Sequence, residues 1–467
     1  MKLPLNNLPI LVLGIGDSGL ATVRWLHAQG ARVCVADTRE THANVALIKA
    51  EVPQAEIVMG GFPTHIFKGV EFAVISPGIA LATPEIQAAM QAGLTVIGDV
   101  ELFAQYRDPK AKVIGITGAN GKTTVTTLVG EMCKAAGLST IVAGNIGLPV
   151  LEALMMGTPD VYVLELSSFQ LETTHNLVLD AATMLNLSED HMDRYASMQE
   201  YAIAKAHIFY NAKAQVLNRD DAWSMLMARP KLPQVTFGLD APTDAEDCYG
   251  VISQNDANGN RQLWLTEADK PLINLAAMKL VGLHNAANAL AAMALCRQIG
   301  IAHPPLLQTL YEFKGLPHRV EWVAEIDDVD YYDDSKGTNV GATCAAISGM
   351  TQKVVLIAGG DGKGQDFSPL EKSVKENARA VVLIGRDASL IETVLLPTNV
   401  PLYHAGDLPE AVNIAKKIAK NGDAVLLSPA CASFDMFKNY VHRAEVFIEA
   451  VMRLKNSANN ALAGGAA

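Results

Sequence analysis

Residues 115–124, "GITGANGKTT", set Gly118, Gly121, Lys122 and Thr123 between the apolar run "AKVIGIT" and a helical pattern. At such a strand–turn–helix junction, successive backbone N–H groups converge on an anion. The lysine then reaches the outer phosphates and the hydroxyl meets Mg2+. The generic phosphate-loop spacing wants its first glycine where Ile116 stands, with Gly115 one position early, so the working pattern is Gly118-x-x-Gly121-Lys122-Thr123. The plain alternative is a glycine-rich turn with an exposed lysine. Glu165 lies near the end of the buried-looking strand "VYVLELSSF", where open α/β sheets bind ligands and a carboxylate can hold Mg2+ directly or through water. "NLSEDHMDRY" follows another strand-like run and offers Asp190, His191 and Asp193. A lone histidine is by default a surface residue, but one among acids after a strand is well placed to ligate a cation. Lys205, in the helical stretch "YAIAKAHIF", reads on its own as a solvated lysine.

A second glycine turn, "GIGDSG", carries Gly14, Gly16 and Gly19, and Asp37 ends the next apolar run. These are the marks of a dinucleotide fold: a tight turn, close approach of a pyrophosphate, and an acid for a ribose or base. Read alone, the turn says NAD or FAD and an oxidoreductase. The same physics holds any nucleotide diphosphate, including one attached to a sugar, and a turn that only packs helix on strand is the bland reading.

These residues need sheets to hold them. Between residues 8 and 105, strand-like runs ("PILVLGI", "ARVCVAD", "FAVISPG", "TVIG") alternate with helical stretches, the pattern of a parallel sheet covered on both faces. "QYRDPKA" reads as a linker, and a second alternation runs to about residue 313, with a less regular, partly antiparallel region expected at 230–280. "KGLPHR", with its Gly and Pro, marks the next boundary, and a third α/β unit follows. The expected organisation is three α/β domains: a Rossmann-like parallel sheet at 1–107, a P-loop ATPase-type domain at 108–315, and a Rossmann-like domain at 316–455. A disordered tail is expected at 456–467 because its residues are small and polar.

The 467 residues are half apolar and 18% charged, the balance of a soluble protein, and the formal net charge is −12. That charge argues against general affinity for nucleic acid or an anionic membrane, so local cations and amides must meet any anionic ligand. Six scattered cysteines, with no CxxC pair, read as reduced thiols of a cytoplasmic protein. No run suggests a signal peptide or a membrane span.

In order along nearly the whole chain, "ITGANGKTT", "AGNIG", "LELSSFQLE", "NLSEDHMDRY", "GLHNAANALAA", "GLPHRVE", "DDSKGTNVGAT", "GGDGKGQDF" and "SPACASFDMFKNY" resemble the motifs of the Mur ligases. That family's phosphate loop shares the off-register glycine. The resemblance is strongest to the D-glutamate-adding branch. It implies an ATP-dependent amide ligase of peptidoglycan precursor synthesis, which joins D-glutamate to UDP-N-acetylmuramoyl-L-alanine through an acyl phosphate.

By this likeness Gly16, Asp17, Ser18, Asp37, Thr38, Arg39, Ser76 and Gly78 line the UDP-sugar site, and Asn145 and His191 face the middle of the substrate. ATP falls to Gly118, Asn120, Gly121, Lys122, Thr123, Thr124, Asn285, Asn288, Arg319, Asp334 and Lys336. D-Glutamate falls to Asp190, Thr338, Lys363, Ser433 and Phe434. Lys122, Glu165, His191 and Lys205 are the catalytic set. Two Mg2+ ions are implied, held by Thr123, Glu165, His191 and Lys205, the last as a carbamate. A monomer that closes about "KGLPHR" is expected. Ala119, Phe434, Tyr440 and Ala444 depart mildly from the family pattern. A folylpolyglutamate-type ligase, which shares the ATP core, and a nucleotide-binding module without catalysis are the competing readings.

Overall fold

The computed structural model describes residues 4–192, 194–243, 247–280 and 282–464, with side chains through residue 457. Its three sheets draw their strands from residues 9–98, 112–274 and 321–427. Apolar side chains on both faces of the central strands are buried, as helix-covered parallel sheets require.

The first sheet has five parallel strands in the order Glu56–Met59, Arg32–Asp37, Pro9–Leu13, Phe72–Ile75, Thr95–Gly98. The winding reverses between Pro9–Leu13 and Phe72–Ile75. A crevice opens at the C-terminal ends of those two strands, where doubly wound sheets take ligands. The turns at 14–19 and 76–79 form its rim.

The second sheet has nine strands, and Lys112–Thr117 lies between Ala181–Met184 and Val161–Glu165. The phosphate-loop residues therefore leave the sheet at its own switch point. Arg261–Glu267 and Lys270–Asn274 extend one edge as an antiparallel meander from Cys248–Asn255, in line with the irregularity read at 230–280. The third sheet has six strands in the order Glu321–Ile326, Val329–Asp333, Ala424–Leu427, Val354–Gly359, Ala378–Ile384, Leu402–His404, all parallel except the first pair.

Two kinds of joint hold the three sheets together. The first two share one apolar cluster, in which Trp25 meets Tyr106 edge-on at 4.9 Å and Phe103 meets Tyr162 at 5.0 Å. Such aromatic pairs add about 0.5–1.5 kcal/mol each beyond the area they bury. The third unit's apolar clusters are built from residue 320 onward, and its named contacts with the second are polar. Arg319 Nη2 donates to Thr123 Oγ1 at 2.8 Å, and the amides of Asn120 and Asn339 exchange hydrogen bonds at 3.0 and 3.3 Å. In the connection, Gly315, His318 and Val320 all have positive φ. At the β-branched Val320, with φ of 51°, that conformation costs about 1–3 kcal/mol.

The last helix, Tyr440–Gly464, continues through most of the stretch expected to be a disordered tail. Buried Phe447 and Val451 anchor the earlier part of this helix. Residues 465–467 lie outside the described residues.

Candidate active site

The loop after Lys112–Thr117 is shaped for backbone approach. Gly118 has φ of 151° and Gly121 has φ of 83°. A Cβ on Gly121 would stand 2.5 Å from Asn288 Oδ1. Asn186, just past Ala181–Met184, clamps the loop from outside. Its carbonyl accepts from Ala119 N, its Oδ1 accepts from Asn120 N at 2.8 Å, and its Nδ2 donates to Asn120 O at 3.0 Å. Lys122 opens the helix Lys122–Ala135 and curls back, its Nζ donating to Gly118 O at 2.8 Å and Ala119 O at 2.9 Å. It is a partly buried member of the loop, not the freely exposed lysine of the plain alternative. Burial lowers its pKa, with nearby Arg319 adding to the effect and Glu165 and Asp190 opposing it.

Beside this loop lies a cavity of about 330 Å3 between the second and third units. It is lined by Asn120, Gly121, Thr124, Asn285, Asn288, Arg319, Asp334 and Lys336, which gathers most of the expected ATP residues from three separate regions of the chain. Gly118, Lys122 and Thr123 sit outside that lining. Asn288 Nδ2 donates to Asn285 Oδ1 at 3.2 Å on the helix Leu283–Gln298. Burial pushes Asp334 up to about 7, against the Ser428 hydroxyl that donates to it at 2.7 Å and the charge of Arg319. Burial, then Arg319, bring Lys336 down to about 8, and its ammonium sits 3.9 Å from the centre of the Tyr440 ring.

Glu165, at the end of Val161–Glu165, is only 2% exposed. Its Oε1 accepts from Asn145 Nδ2 at 2.9 Å, while its Oε2 is buried with no hydrogen-bond partner. An unpaired carboxylate oxygen in that position is costly unless a cation meets it. Lys205 corrects the solvated reading: it is 2% exposed on the helix Met198–Ala206, because its face of that helix packs under the phosphate loop. Its Nζ donates to Gly118 O at 2.9 Å and Thr117 Oγ1 at 3.4 Å, and stands 4.7 Å from the Tyr201 ring centre. Burial, then repulsion from Lys122, hold its pKa well below the usual lysine value. His191 has φ of 59°, meets Phe169 edge-on at 4.9 Å, and is 3.6 Å from Asp190 Oδ2. Burial lowers its pKa despite Asp190, so the neutral, ligand-competent imidazole is favoured.

Of this set, the unpartnered Glu165 oxygen is the hard donor that Mg2+ takes; the Lys205 amine would fit only once converted to an oxygen donor, for which its bias toward the neutral form is the precondition. Thr123 Oγ1 is engaged by Arg319. Among the described residues, the three side chains whose ligand atoms lie within 4.8 Å of one another are His318, Glu321 and Asp333, outside the expected set. Asp193 lies outside the described residues.

The crevice of the first sheet is a cavity of about 610 Å3 lined by Gly16, Asp17, Ser18, Asp37, Thr38, Arg39, Ser76, Gly78 and Asn145. It thus collects the expected UDP-sugar residues except His191, and the helix Asp17–Ala28 opens into it. Asp37 is tightly held, accepting from Ile15 N at 2.8 Å and from Arg39 N, Nε and Nη2 at 2.9, 2.8 and 2.6 Å. Burial pushes its carboxyl up, but these donors prevail and bring it to about 2. Of the expected D-glutamate residues, Ser433 is buried, Thr338 and Asp190 are half-buried, and Lys363 is exposed with φ of 51°. Phe434 is 71% exposed, and Thr338, Lys363, Ser433 and Phe434 lie outside both cavities.

The sequence reading missed several lining residues, polar ones among them. Asn186, Ser188 and His284 border the first cavity, and Gln170 borders the second. Asn186 and Ser188 had a signal, polar residues directly after a strand at the switch point. His284 had none; burial brings it down to about 4, and its Nδ1 is buried without a hydrogen-bond partner.

Comparison with known proteins decides the family. Residues 9–98 match the Mur ligase MurD-like N-terminal domain, 116–296 the Mur ligase middle domain, and 318–431 the Mur ligase glutamate ligase domain. The chain is a Mur ligase. Over 453 residues, 97% of the chain and 98% of the relative, this Mur ligase is 58% identical to the UDP-N-acetylmuramoylalanine–D-glutamate ligase of Methylobacillus flagellatus. It is 51% identical over 459 residues, 96% of each chain, to the ligase of the same name from Nitrosomonas eutropha. Its fold is shared with the UDP-N-acetylmuramate–alanine ligase of Thermotoga maritima, with a TM-score of 0.58 at 20% identity, covering 96% and 100% of the two chains. MurF of Acinetobacter baumannii gives a TM-score of 0.59 at 15% identity, covering 95% and 91%. This Mur ligase is an ATP-dependent amide ligase of peptidoglycan precursor synthesis, of a family that uses ATP and Mg2+. The NAD reading of "GIGDSG" gives way to the Mur ligase N-terminal domain. No helix among the described residues is long and apolar enough to cross a membrane.

Proposed function

We propose that this Mur ligase joins D-glutamate to UDP-N-acetylmuramoyl-L-alanine, as a cytoplasmic monomer. The observation that carries the reading is the bridge between the two cavities: Asn145 lines the 610 Å3 crevice and donates to Glu165 beside the phosphate loop. A nucleotide-linked carboxylate seated in the crevice is thereby directed toward the γ-phosphate of ATP. The relatives' shared name supports this choice of substrates.

The substrate carboxylate attacks the γ-phosphorus, the bond to the β,γ-bridging oxygen breaks, and ADP leaves. The amine of D-glutamate then attacks the acyl phosphate, gives up a proton, and phosphate departs with the C–O electron pair. Two groups of anions must meet for this, so catalysis is mainly positioning and charge neutralisation. Lys122, Arg319 and Lys336 supply cations about the ATP phosphates, and the backbone amides of the 118–121 turn supply donors. Asn285 and Asn288 hold the base and Asp334 the ribose. Thr123 and Glu165 would hold one Mg2+, and His191 with the carbamate of Lys205 a second; bound there, the ions neutralise phosphate charge and orient the transferred group. Carbamate formation requires the neutral amine, which the burial of Lys205 favours. Lys363, Thr338 and Ser433 receive the carboxylates of D-glutamate when the third unit closes, with Asp190 near the amine and Phe434 at the mouth.

The test is phosphate release from ATP with UDP-N-acetylmuramoyl-L-alanine and each glutamate enantiomer. Turnover is expected with the D-isomer alone. Equal rates with both, or none with either, would sink the substrate assignment.

A further inference from the structure

The 185–197 segment does more than present Asp190 and His191. Three residues past His191, the Arg194 side chain reaches across to the first sheet. Its Nη1 donates to Pro77 O at 3.1 Å and its Nη2 to Ile79 O at 3.2 Å. Pro77 and Ile79 belong to the 76–79 turn, all four residues of which line the 610 Å3 crevice. From the opposite side, Ser76 Oγ ties the same turn to the glycine loop by donating to Gly14 O at 3.0 Å. The guanidinium also lies 4.0 Å from the centre of the Phe169 ring, and His191 meets that ring edge-on. The Arg194 main chain closes the circuit, its N–H donating to His191 O at 2.9 Å.

We infer that Arg194 is a positioning residue: it fixes the 76–79 turn, and so one wall of the nucleotide–sugar crevice, relative to His191 and the phosphate loop. The inference rests on the substrate reading above for the name of the crevice's occupant. A planar fork suits the task because two carbonyls of one turn accept from one side chain at fixed spacing; a lysine serves only one of them. Arg194 lines neither cavity, so its effect passes through the turn. Its loss should weaken nucleotide–sugar binding and leave the ATP cradle intact.

The test is steady-state kinetics on the full-length Arg194→Ala and Arg194→Lys proteins. Losing two charge-assisted hydrogen bonds predicts a KM for UDP-N-acetylmuramoyl-L-alanine raised on the order of 30-fold in Arg194→Ala. In the same variant kcat should fall less than threefold and KM for ATP stay within twofold, while Arg194→Lys falls between wild type and Ala. Calorimetric titration with UDP alone, which needs no turnover, separates this inference from the substrate reading. A weakened UDP affinity in the variants supports the positioning role even if the wild type fails to use the proposed substrates. Unchanged UDP affinity and KM in both variants, or KM for ATP rising in step with that for the UDP substrate, would overturn it. If Arg194→Ala does not fold, Arg194→Lys decides by the same measures.

Discussion

Replacing Lys205 by methionine should remove activity while relieving the fold of a burden. The side chain is 2% exposed, sits over Tyr201, and has carbonyl and hydroxyl partners instead of an ion-pair partner. Methionine is similar in length, keeps the contact with the ring, and gives up hydrogen bonds worth about 1 kcal/mol each. Against that stands a linkage effect. Burial depresses the folded-state pKa well below the unfolded value of about 10.4. Between those two values the unfolded chain carries one more proton than the folded one. The wild type therefore gains about 1.4 kcal/mol of stability per pH unit as pH rises through that window. The variant lacks this dependence and shares every other titrating group. Urea unfolding of both proteins at pH 8 and 9.5, in CO2-depleted buffer so that the amine stays unmodified, should show the wild type gaining stability relative to the variant as pH rises. A difference between the two that does not change with pH would mean that Lys205 is buried as a cation, and the argument for its carbamate would fail.

Glu165→Gln should leave the melting temperature nearly unchanged, since Oε2 has no hydrogen bond to lose; phosphate release should fall about 100-fold or more with a weakened Mg2+ response, checked by metal titration. Gly121→Ala forces a φ of 83° on alanine and drives a Cβ to 2.5 Å from Asn288 Oδ1; a stability loss of about 1–3 kcal/mol, read by denaturant unfolding, is expected together with a raised KM for ATP. Lys336, brought to about 8, loses its charge as pH climbs through that value. The kcat/KM for ATP should accordingly decline above pH 8, and Lys336→Arg should carry the decline to higher pH. EDTA should abolish phosphate release and excess Mg2+ restore it.

Much of the architecture is written locally. Continuous apolar runs such as Pro9–Leu13 and Val161–Glu165 can be satisfied only as strands covered on both faces. Glycines at 118 and 121 announce a turn needing backbone conformations that other residues resist. The ordered motifs also place the phosphate loop and the nucleotide crevice at successive switch points, because a turn after a parallel strand always opens on the same edge of the sheet. The environment of a side chain is another matter, since burial depends on what distant segments lay over it. Lys205 has the sequence neighbourhood of a solvated helix lysine, and it becomes a desolvated amine only when its helix packs beneath the 118–121 turn. His284 and Arg194 likewise acquire their surroundings from chain far away in sequence. Chain-local preferences settle which elements form and where ligands enter, whereas charge state and reach at each site are set by long-range packing, through the dielectric and partners it imposes.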